Sequence, residues 1–596
     1  MVDLLAAAAK PAGGAALDQV AIATGAAGFV TVVLMWLGLG HRTGRVDVLR
    51  RVGAYSERVS GLPSWAAIPA GIIIVSLITA LFGMLWDISL HIAQGRDQGP
   101  LANTAHYFIL AGLFGVFSSG FLSMCIPLEK PSRVAVRLAD GWYAPLGGCL
   151  IAACGTFALI GFPLDDVWHR LFGQDVTLWG PTHLMLIGGA AMTLIGLAVL
   201  FVEARGAAGP RRAHTWVTWV QRISLPGAFL LGLSTFQAEF DFGVPQFRMV
   251  FAPMLIMLAA GVSLVAARMW LGAGAAVGAA VFWLAMRGLM SLLVGPGLGE
   301  PLPHFPLYVV EALLVEGIAL VVKRPLPFAL WCGLAIGTVG LAAEWGWSHV
   351  WMVLPWPSAL FPLGAVLGLA MAVAASLVGA WLGGRLSADR APALRVGALT
   401  GALAIFALVG YGLLSTGSQG VRGTVTLNAA HEATVRVEPT DGADEALWLT
   451  ATAWQGGGLV VDRLERVAPG VYRSHDPLPL DGDWKTMIRL HSGNALTALP
   501  VYLPADPAIP VQGVPARASV TRDFGSERPL LQRERKTDVP GWLWAAAYLV
   551  VLVIALLFLV SLVWGIHRVS SAAASADGTR FSRPLGKSEP VPSTGA

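Results

Sequence analysis

The chain has 596 residues, of which 55% are hydrophobic and only 13% are charged, and its mean hydropathy is +0.66. These values exclude a soluble globular protein and a disordered chain, because soluble domains are about one-quarter charged. The net charge of +4 is too small to indicate a nucleic-acid partner. Charge is concentrated in one segment: 28 of the 124 residues in 417–540 are charged, against 48 of the other 472. We therefore expect a membrane-embedded body that carries one soluble domain.

Thirteen apolar runs approach or exceed the roughly 20 residues that a helix needs to cross a bilayer. They cover 17–39, 64–92, 105–126, 144–164, 182–203, 225–240, 246–267, 271–293, 305–322, 327–343, 359–384, 394–415 and 541–564. The sequence thus predicts an all-α polytopic membrane protein of about thirteen transmembrane helices in repeated hairpins, with the lipid bilayer around it. The expected domains are a helical body over 1–416, a β-sandwich over 417–520, a linker over 521–540, a final transmembrane helix over 541–564 and a disordered tail over 565–596.

The basic residues predict how these helices are oriented. The loop after the first run contains Arg42, Arg45, Arg50, Arg51 and Arg58, and every second loop after it is again rich in Lys and Arg. Such residues favour the cytoplasmic side of a membrane. We expect a plasma or inner membrane protein whose N-terminus lies outside, whose C-terminus is cytoplasmic and whose soluble domain is extracytoplasmic.

Six of the twelve histidines fall at or near the predicted outer ends of the apolar runs: His91, His106, His169, His183, His304 and His349. Two successive outer hairpins share one pattern, an acid and a histidine at spacing i, i+4, then a polar loop, then a histidine that opens the next helix. The first hairpin supplies Asp87, His91 and His106, and the second supplies Asp165, His169 and His183. We interpret the pattern as an internal repeat.

The residue types in this repeat favour a metal. The i, i+4 spacing places the acid and the histidine on one helical face. Two imidazoles and a carboxylate are a common ligand set for divalent copper, zinc or iron, with positions left open for water or substrate. The alternatives are proton chemistry, or histidines that only form hydrogen bonds at the membrane interface. His304, and Glu344 with His349 at spacing i, i+5, are lesser candidates.

A second group of residues places charge within the membrane. Arg287 and Glu311 are expected about 10 Å deep, at a rise of 1.5 Å per residue. Intramembrane charge costs roughly 2.5–3.5 kcal/mol, so such residues usually pair or face a polar cavity. Either a buried ion pair or a polar path is possible here. Glu316 lies deeper without an obvious partner, which points to proton or ion movement.

The second hairpin resembles a known copper-binding segment. It reads DDVWH, then a loop, then PTH at a helix start, and is similar to the C subunit of particulate methane and ammonia monooxygenases. The resemblance implies that Asp165, His169 and His183 are copper ligands and that the first hairpin echoes them. The thirteen helices and the duplication depart from that family.

The soluble segment alternates strand patterns with turn signals: GTVTLN, EATVRVEP, ALWLTATA, GLVVD, WKTMIRLH and LTALPVYL. Short strands between Gly, Pro and Asp turns are typical of a β-sandwich. Gly470 with Tyr472, followed by Gly482 with Trp484, resembles the G-x-Y and G-x-W of FixH and YtkA-like domains. That resemblance implies a copper-handling or cuproenzyme-assembly context.

Three functions are compatible with these features. We favour a membrane copper protein in copper handling or cuproenzyme maturation, with zinc or iron as alternatives to copper. The second is a copper-dependent, monooxygenase-like membrane oxidoreductase, which would need an electron donor because the chain has no CxxCH or flavin motif. The third is a secondary transporter or scaffold with structural histidines. No phosphate-binding loop is present in the sequence, so no nucleotide is expected. The sequence leaves open whether the protein is an enzyme.

Overall fold

The computed structural model describes residues 17–97, 99, 101–174, 177–207, 213–387, 392–417, 420–444, 446–509 and 511–581. Its α-helices are α1 Leu17–Arg42, α2 Val48–Ser60, α3 Ser64–Gln94, α4 Thr104–Cys125, α5 Leu146–Phe172, α6 Pro181–Ala207, α7 Thr215–Ser234, α8 Ala238–Asp241, α9 Phe251–Leu271, α10 Ala275–Leu292, α11 Val309–Val321, α12 Pro325–Ala335, α13 Leu341–Val350, α14 Phe361–Leu386, α15 Pro392–Leu413, α16 Arg528–Leu531 and α17 Gly541–Phe581. A π-helical turn, Leu293–Gly297, extends α10, and another, Ile336–Gly340, joins α12 to α13.

Within these ranges, eleven helical segments are long and apolar enough to cross a membrane. The two predicted runs without such a segment are 225–240 and 305–322. The first falls on the end of α7, which gives way to a 3-10 turn and the short α8. The second contains only the 13 residues of α11, preceded by a non-helical stretch. The chain is therefore a multi-pass membrane protein, and these two runs account for the difference between eleven and thirteen.

Among the described residues, two large hydrophobic cores hold the helical body together. One joins α3, α4, α5, α6 and α17 through residues such as Ile73, Ile151 and Leu562. The other joins α9, α10, α11 and α14. Small residues let helices of the first core approach closely, since a Cβ on Gly120 would lie 2.3 Å from the Ala152 nitrogen. This packing places the end of α3 beside the start of α4, and the end of α5 beside the start of α6.

The C-terminal region forms two five-stranded antiparallel sheets. After the hairpin β1 Val136–Ala139 and β2 Trp142–Ala144, its strands are β3 Arg422–Leu427, β4 Ala433–Glu438, β5 Trp448–Trp454, β6 Leu459–Arg463, β7 Glu465–Ala468, β8 Val471–Arg473, β9 Lys485–Ser492, β10 Ala495–Tyr502, β11 Ser519–Asp523 and β12 Gly525–Ser526. The sheet orders are β12-β10-β9-β5-β6 and β11-β3-β4-β8-β7. One apolar core includes residues of both sheets, as in a sandwich.

All six strands predicted from the sequence are present, and four more complete the two sheets. The β-rich region continues past the expected boundary at 520, because β11 and β12 both pair with its sheets. The expected linker therefore belongs in part to the domain. Helix α17 likewise continues past 564 to Phe581, so the expected disordered tail begins too early. Residues 582–596 of that tail lie outside the described residues.

The β-domain is docked on one end of the helical body. At the end of α3, the Ile92 carbonyl oxygen accepts a hydrogen bond from Gln455 N at 2.9 Å. At the end of α5, the Phe172 carbonyl oxygen accepts one from Lys536 N at 2.8 Å. Arg96, which is buried, forms a bidentate ion pair with Asp506, with Nη1–Oδ2 and Nη2–Oδ1 distances of 2.6 and 2.9 Å. The β-domain thus covers the same end of the helical body at which the predicted Asp/His/His residues lie.

Candidate metal centres

The structure brings the three predicted residues of the first hairpin together and adds a fourth. Asp87 and His91 are on the last turns of α3, and His106 is on the first turn of α4. The His91 and His106 Nε2 atoms lie 3.4 and 3.0 Å from Asp87 Oδ1, and 3.4 and 3.6 Å from Asp97 Oδ2. Asp97, in the loop between the helices, was not predicted because loop spacing alone does not define where a side chain lies. We name Asp87, His91, Asp97 and His106 the first cluster.

Asn103 organises the first cluster and was also missed. Its Oδ1 accepts from Ala105 N at 2.9 Å, which makes it the N-cap of α4. Its Nδ2 donates to Asp87 Oδ1 at 2.5 Å and to Asp97 Oδ2 at 3.1 Å. One buried side chain therefore fixes both the start of α4 and the two carboxylates. The preference for Asn before a helix was readable in the sequence, but its second role was not.

The second hairpin forms a matching group, here named the second cluster: Asp165, His169 and His183. The Nε2 atoms of His169 and His183 lie 3.8 and 3.4 Å from Asp165 Oδ1. Thr182 Oγ1 donates to the same carboxylate oxygen at 2.5 Å, as Asn103 does in the first cluster. The internal repeat predicted from the sequence is thus a repeat in geometry.

The histidine–carboxylate distances are longer than those of most hydrogen bonds. N–H···O bonds usually measure 2.7–3.2 Å, and only the His106–Asp87 distance falls in that range. Ligand atoms bound at about 2.1 Å to one tetrahedral ion lie roughly 3.4 Å apart. The observed distances of 3.0–3.8 Å centre on that value. In each cluster all the ligand atoms lie within 4.8 Å of one another.

Backbone carbonyls define which ring nitrogen donates a hydrogen bond in two of these histidines. His91 Nδ1 lies 3.0 Å from the Gly95 carbonyl oxygen, and His183 Nδ1 lies 2.7 Å from the Thr177 carbonyl oxygen. A carbonyl only accepts, so Nδ1 donates. In the neutral ring the Nε2 lone pair then faces carboxylate oxygens, an arrangement that needs a cation or a proton between them. Backbone carbonyls hold metal-binding histidines in the same way.

Both clusters line one cavity of about 320 Å³. Ile73 and Ile92 of α3 both line it. These residues are 19 positions apart, which corresponds to about 28 Å along a helix. The lining of the cavity therefore extends along much of α3. Most of its other lining residues on α3, α4, α6 and α7 are apolar, while Gln221, Ser224 and Glu239 add polar groups outside the two clusters.

The two clusters are neighbours, and the β-domain closes the cavity above them. Phe162, which also lines the cavity, has its ring edge-on to His106 at a centroid distance of 5.4 Å. Trp454 and Gln455 of the β-domain, with Leu531 just after it, line the same cavity.

The ion pair between Arg96 and Asp506 helps to hold the β-domain in this position. Burial opposes ionisation of Asp506, yet the hydrogen bond from Arg96 lowers the pKa of that carboxyl, which keeps the docking ion pair charged.

The lesser candidates, His304, Glu344 and His349, do not form a third Asp/His cluster among the described residues. Both carboxylate oxygens of Glu344 accept hydrogen bonds from the Leu307 and Tyr308 amides at the start of α11. His349 Nδ1 lies 2.9 Å from the Trp345 carbonyl oxygen, and the histidine is exposed. The His304 ring packs against Trp351. The i, i+5 spacing of Glu344 and His349 turns the two side chains to different sides of α13.

The intramembrane charges are paired differently from the prediction. Arg287 donates to Asp241 Oδ2 at 2.7 Å, so its ion-pair partner is Asp241 and not Glu311. Glu316 does have a partner, because Arg268 Nε lies 2.9 Å from its Oε2. These contacts join helices far apart in the sequence, which spacing within one hairpin could not indicate. They remove the reason for assigning ion movement to Glu316.

No family model, no curated protein and no solved structure matches the chain.

Proposed function

We propose that this protein is an integral membrane metal-binding protein with two Asp/His sites at its outer face, and that copper is the metal. The observation that carries the proposal is the repeated cluster, in which imidazole Nε2 atoms face carboxylate oxygens at 3.0–3.8 Å. Sites built from imidazole and carboxylate ligands bind copper strongly in the divalent series. The likeness of the second hairpin to the copper-binding segment of particulate monooxygenases supports the same metal. Zinc or iron would fit the same ligand types.

The role we favour is copper handling, in which the sites hold the ion and pass it to a cuproenzyme. The β-domain, which resembles copper-associated FixH and YtkA-like domains, covers the clusters and would control access to them. In the proposed orientation the β-domain is extracytoplasmic, the N-terminus is outside and the C-terminus is cytoplasmic. Copper would then enter and leave from the outer side of a plasma or inner membrane.

X-ray absorption spectroscopy of the copper-loaded, purified protein tests the metal site. We expect nitrogen and oxygen neighbours at about 2.0 Å, with scattering from imidazole rings. No sulfur ligand is expected, because the four cysteines are free and belong to neither cluster. His169→Ala with His183→Ala should remove part of the signal, whereas His349→Ala, an exposed histidine outside both clusters, should not. A sulfur-dominated spectrum, or no retained metal in wild-type protein, would refute the proposal.

The apolar cavity favours a second candidate function, a metal-dependent oxidoreductase acting on an apolar substrate from the bilayer. A catalytic metal needs an open coordination position beside a dry pocket, and both clusters face the same apolar cavity. Two measurements on copper-loaded protein separate the candidates. Rapid transfer of copper to a soluble chelator without oxygen uptake supports handling. Oxygen consumption that depends on a reductant and an added hydrocarbon supports catalysis.

A further inference from the structure

A second polar site lies deep in the other half of the helical body. A small cavity of about 20 Å³ lies between the short α8, the stretch that precedes α11, and α13. Its polar lining consists of Gln237, Asp241, Glu344 and Ser348, and its other walls are apolar. This volume is enough for one water-sized particle, because a single water needs about 10–15 Å³. No residue of the two Asp/His clusters lines it.

The groups around this cavity carry more negative than positive charge. Asp241 and Glu344 are 1% and 2% exposed and interact electrostatically with each other. The cation that faces them is Arg287 of α10, paired with Asp241 at 2.7 Å. Even with the nearby Glu311 counted as neutral, two carboxylates face one guanidinium. Uncompensated charge inside a membrane protein is costly, so the cluster needs one more positive charge, which a bound cation or a proton can supply.

The other titratable groups that face the cluster do not supply that charge. Tyr308, at the start of α11, is fully buried and has an acidic hydroxyl rather than a basic group. His304 contributes its backbone to the cluster: its carbonyl accepts from Arg287 at 2.7 Å, and its amide donates to the Asp241 carbonyl at 3.0 Å. Glu311 packs against Gly340 in the π-helical turn before α13 and adds a further acid.

An amide oxygen gives independent evidence for a ligand. Gln237 lines the cavity, is 1% exposed, and its Oε1 has no hydrogen-bond partner among the described residues. A buried acceptor without a donor is energetically costly. Its Nε2 meanwhile points to Asp241 Oδ1 at 3.5 Å, at the limit of a hydrogen bond. The Gln237 side chain thus offers an oxygen to the cavity. The Asp241 and Glu344 carboxylates and the Ser348 hydroxyl line the same cavity.

The local backbone is also of the type found at ion sites in membranes. Helix α7 ends in a 3-10 turn at Thr235–Gln237 before α8, and α13 follows the π-helical turn Ile336–Gly340. Such turns within helices occur frequently at functional sites, and interrupted helices form the ion sites of many transporters. These interruptions place Gln237 and Glu344 at the cavity.

We propose that this cavity binds one sodium ion, held by oxygen atoms of Gln237, Asp241, Glu344 and Ser348. A single monovalent cation balances the Asp241 and Glu344 carboxylates against Arg287. Small, hard cations prefer oxygen ligands such as carboxylates and amide carbonyls. Potassium, which is larger, fits a cavity of one-water size less well. This site is separate from the two clusters and does not depend on their metal.

The test is a sodium titration of the purified full-length protein in choline chloride at constant ionic strength. We expect the thermal unfolding midpoint to rise saturably with sodium, and radioactive sodium to bind at one equivalent per chain. Potassium should give a smaller rise. Gln237→Leu should weaken sodium binding at least tenfold, and Glu344→Gln should abolish it, because the remaining Asp241 carboxylate is then balanced by Arg287. His349→Ala should behave as wild type.

Direct binding to wild-type protein decides the matter even if the variants fold poorly. Absence of both bound sodium and a sodium-dependent midpoint would overturn the proposal. A midpoint that responds to pH but not to sodium would also overturn it, because the missing charge would then be a proton. Copper content measured on the same samples should be the same with and without sodium.

Discussion

Replacing Asn103 by alanine should weaken metal binding at the first cluster while leaving its ligands in place. Asn103 is 4% exposed and donates to Asp87 and Asp97 at 2.5 and 3.1 Å. Loss of a group that orients metal ligands typically lowers affinity 10- to 100-fold, or about 1.4–2.8 kcal/mol. Loss of the N-cap of α4 should cost about 1 kcal/mol of stability in addition.

The two effects can be separated with Asn103→Ser. Serine still caps a helix, but its single short hydroxyl cannot bridge two carboxylates. We therefore expect Asn103→Ser to unfold at nearly the wild-type temperature and still to bind copper at least tenfold more weakly at the first cluster. Competition with a chelator of known affinity measures the binding, in a background of His169→Ala and His183→Ala that leaves only the first cluster. Wild-type affinity in Asn103→Ser would refute the assigned role of Asn103.

Three further predictions concern the β-domain and the packing of the helices. Burial opposes ionisation of Glu527, but Arg489 and His491 together outweigh it and lower the pKa of that carboxyl to about 2. Because this pKa lies below the unfolded value near 4.3, the ionised carboxylate adds about 3 kcal/mol that is present above pH 4.3 and lost as the pH falls towards 2. Glu527→Gln should flatten that acid limb in thermal unfolding across pH, and an unchanged limb would contradict the assignment. Arg96→Ala should loosen the docked β-domain by removing the partner of Asp506, detected as faster proteolysis after residue 520, and unchanged cleavage would argue against this contact. Gly120→Ala should lower the unfolding midpoint by an amount equivalent to about 1–3 kcal/mol, because its Cβ would meet the backbone of α5 at 2.3 Å; a stability equal to wild type would contradict the packing.

The fold was predictable wherever hydrophobic periodicity was strong. Long apolar runs and alternating strands such as 433–438 follow from local sequence, and both are present. The prediction was wrong in detail where packing interrupts an element. The run at 225–240 breaks into α7 and α8, and β12 is only two residues long. Short pieces of this kind depend on tertiary contacts, which no local pattern encodes.

The candidate centres were predictable because a repeated i, i+4 spacing and a hairpin together bring side chains into contact. Asp97 was missed because it lies in a loop whose path the sequence does not define. Asn103 was missed because its hydrogen bonds to Asp87 and Asp97 depend on where both carboxylates lie. The pairing of Arg287 was missed for a different reason. Its partner Asp241 lies 46 residues away in sequence, on a short helix that the apolar pattern did not predict.

The most direct test of the central claim is the number of copper ions that bind tightly to the metal-free protein. Wild-type protein should bind two equivalents. His91→Ala with His106→Ala should bind one, His169→Ala with His183→Ala should also bind one, and the variant with all four changes should bind none, while His349→Ala keeps two. Two equivalents retained after all four histidines are replaced, or none in the wild type, would contradict the account.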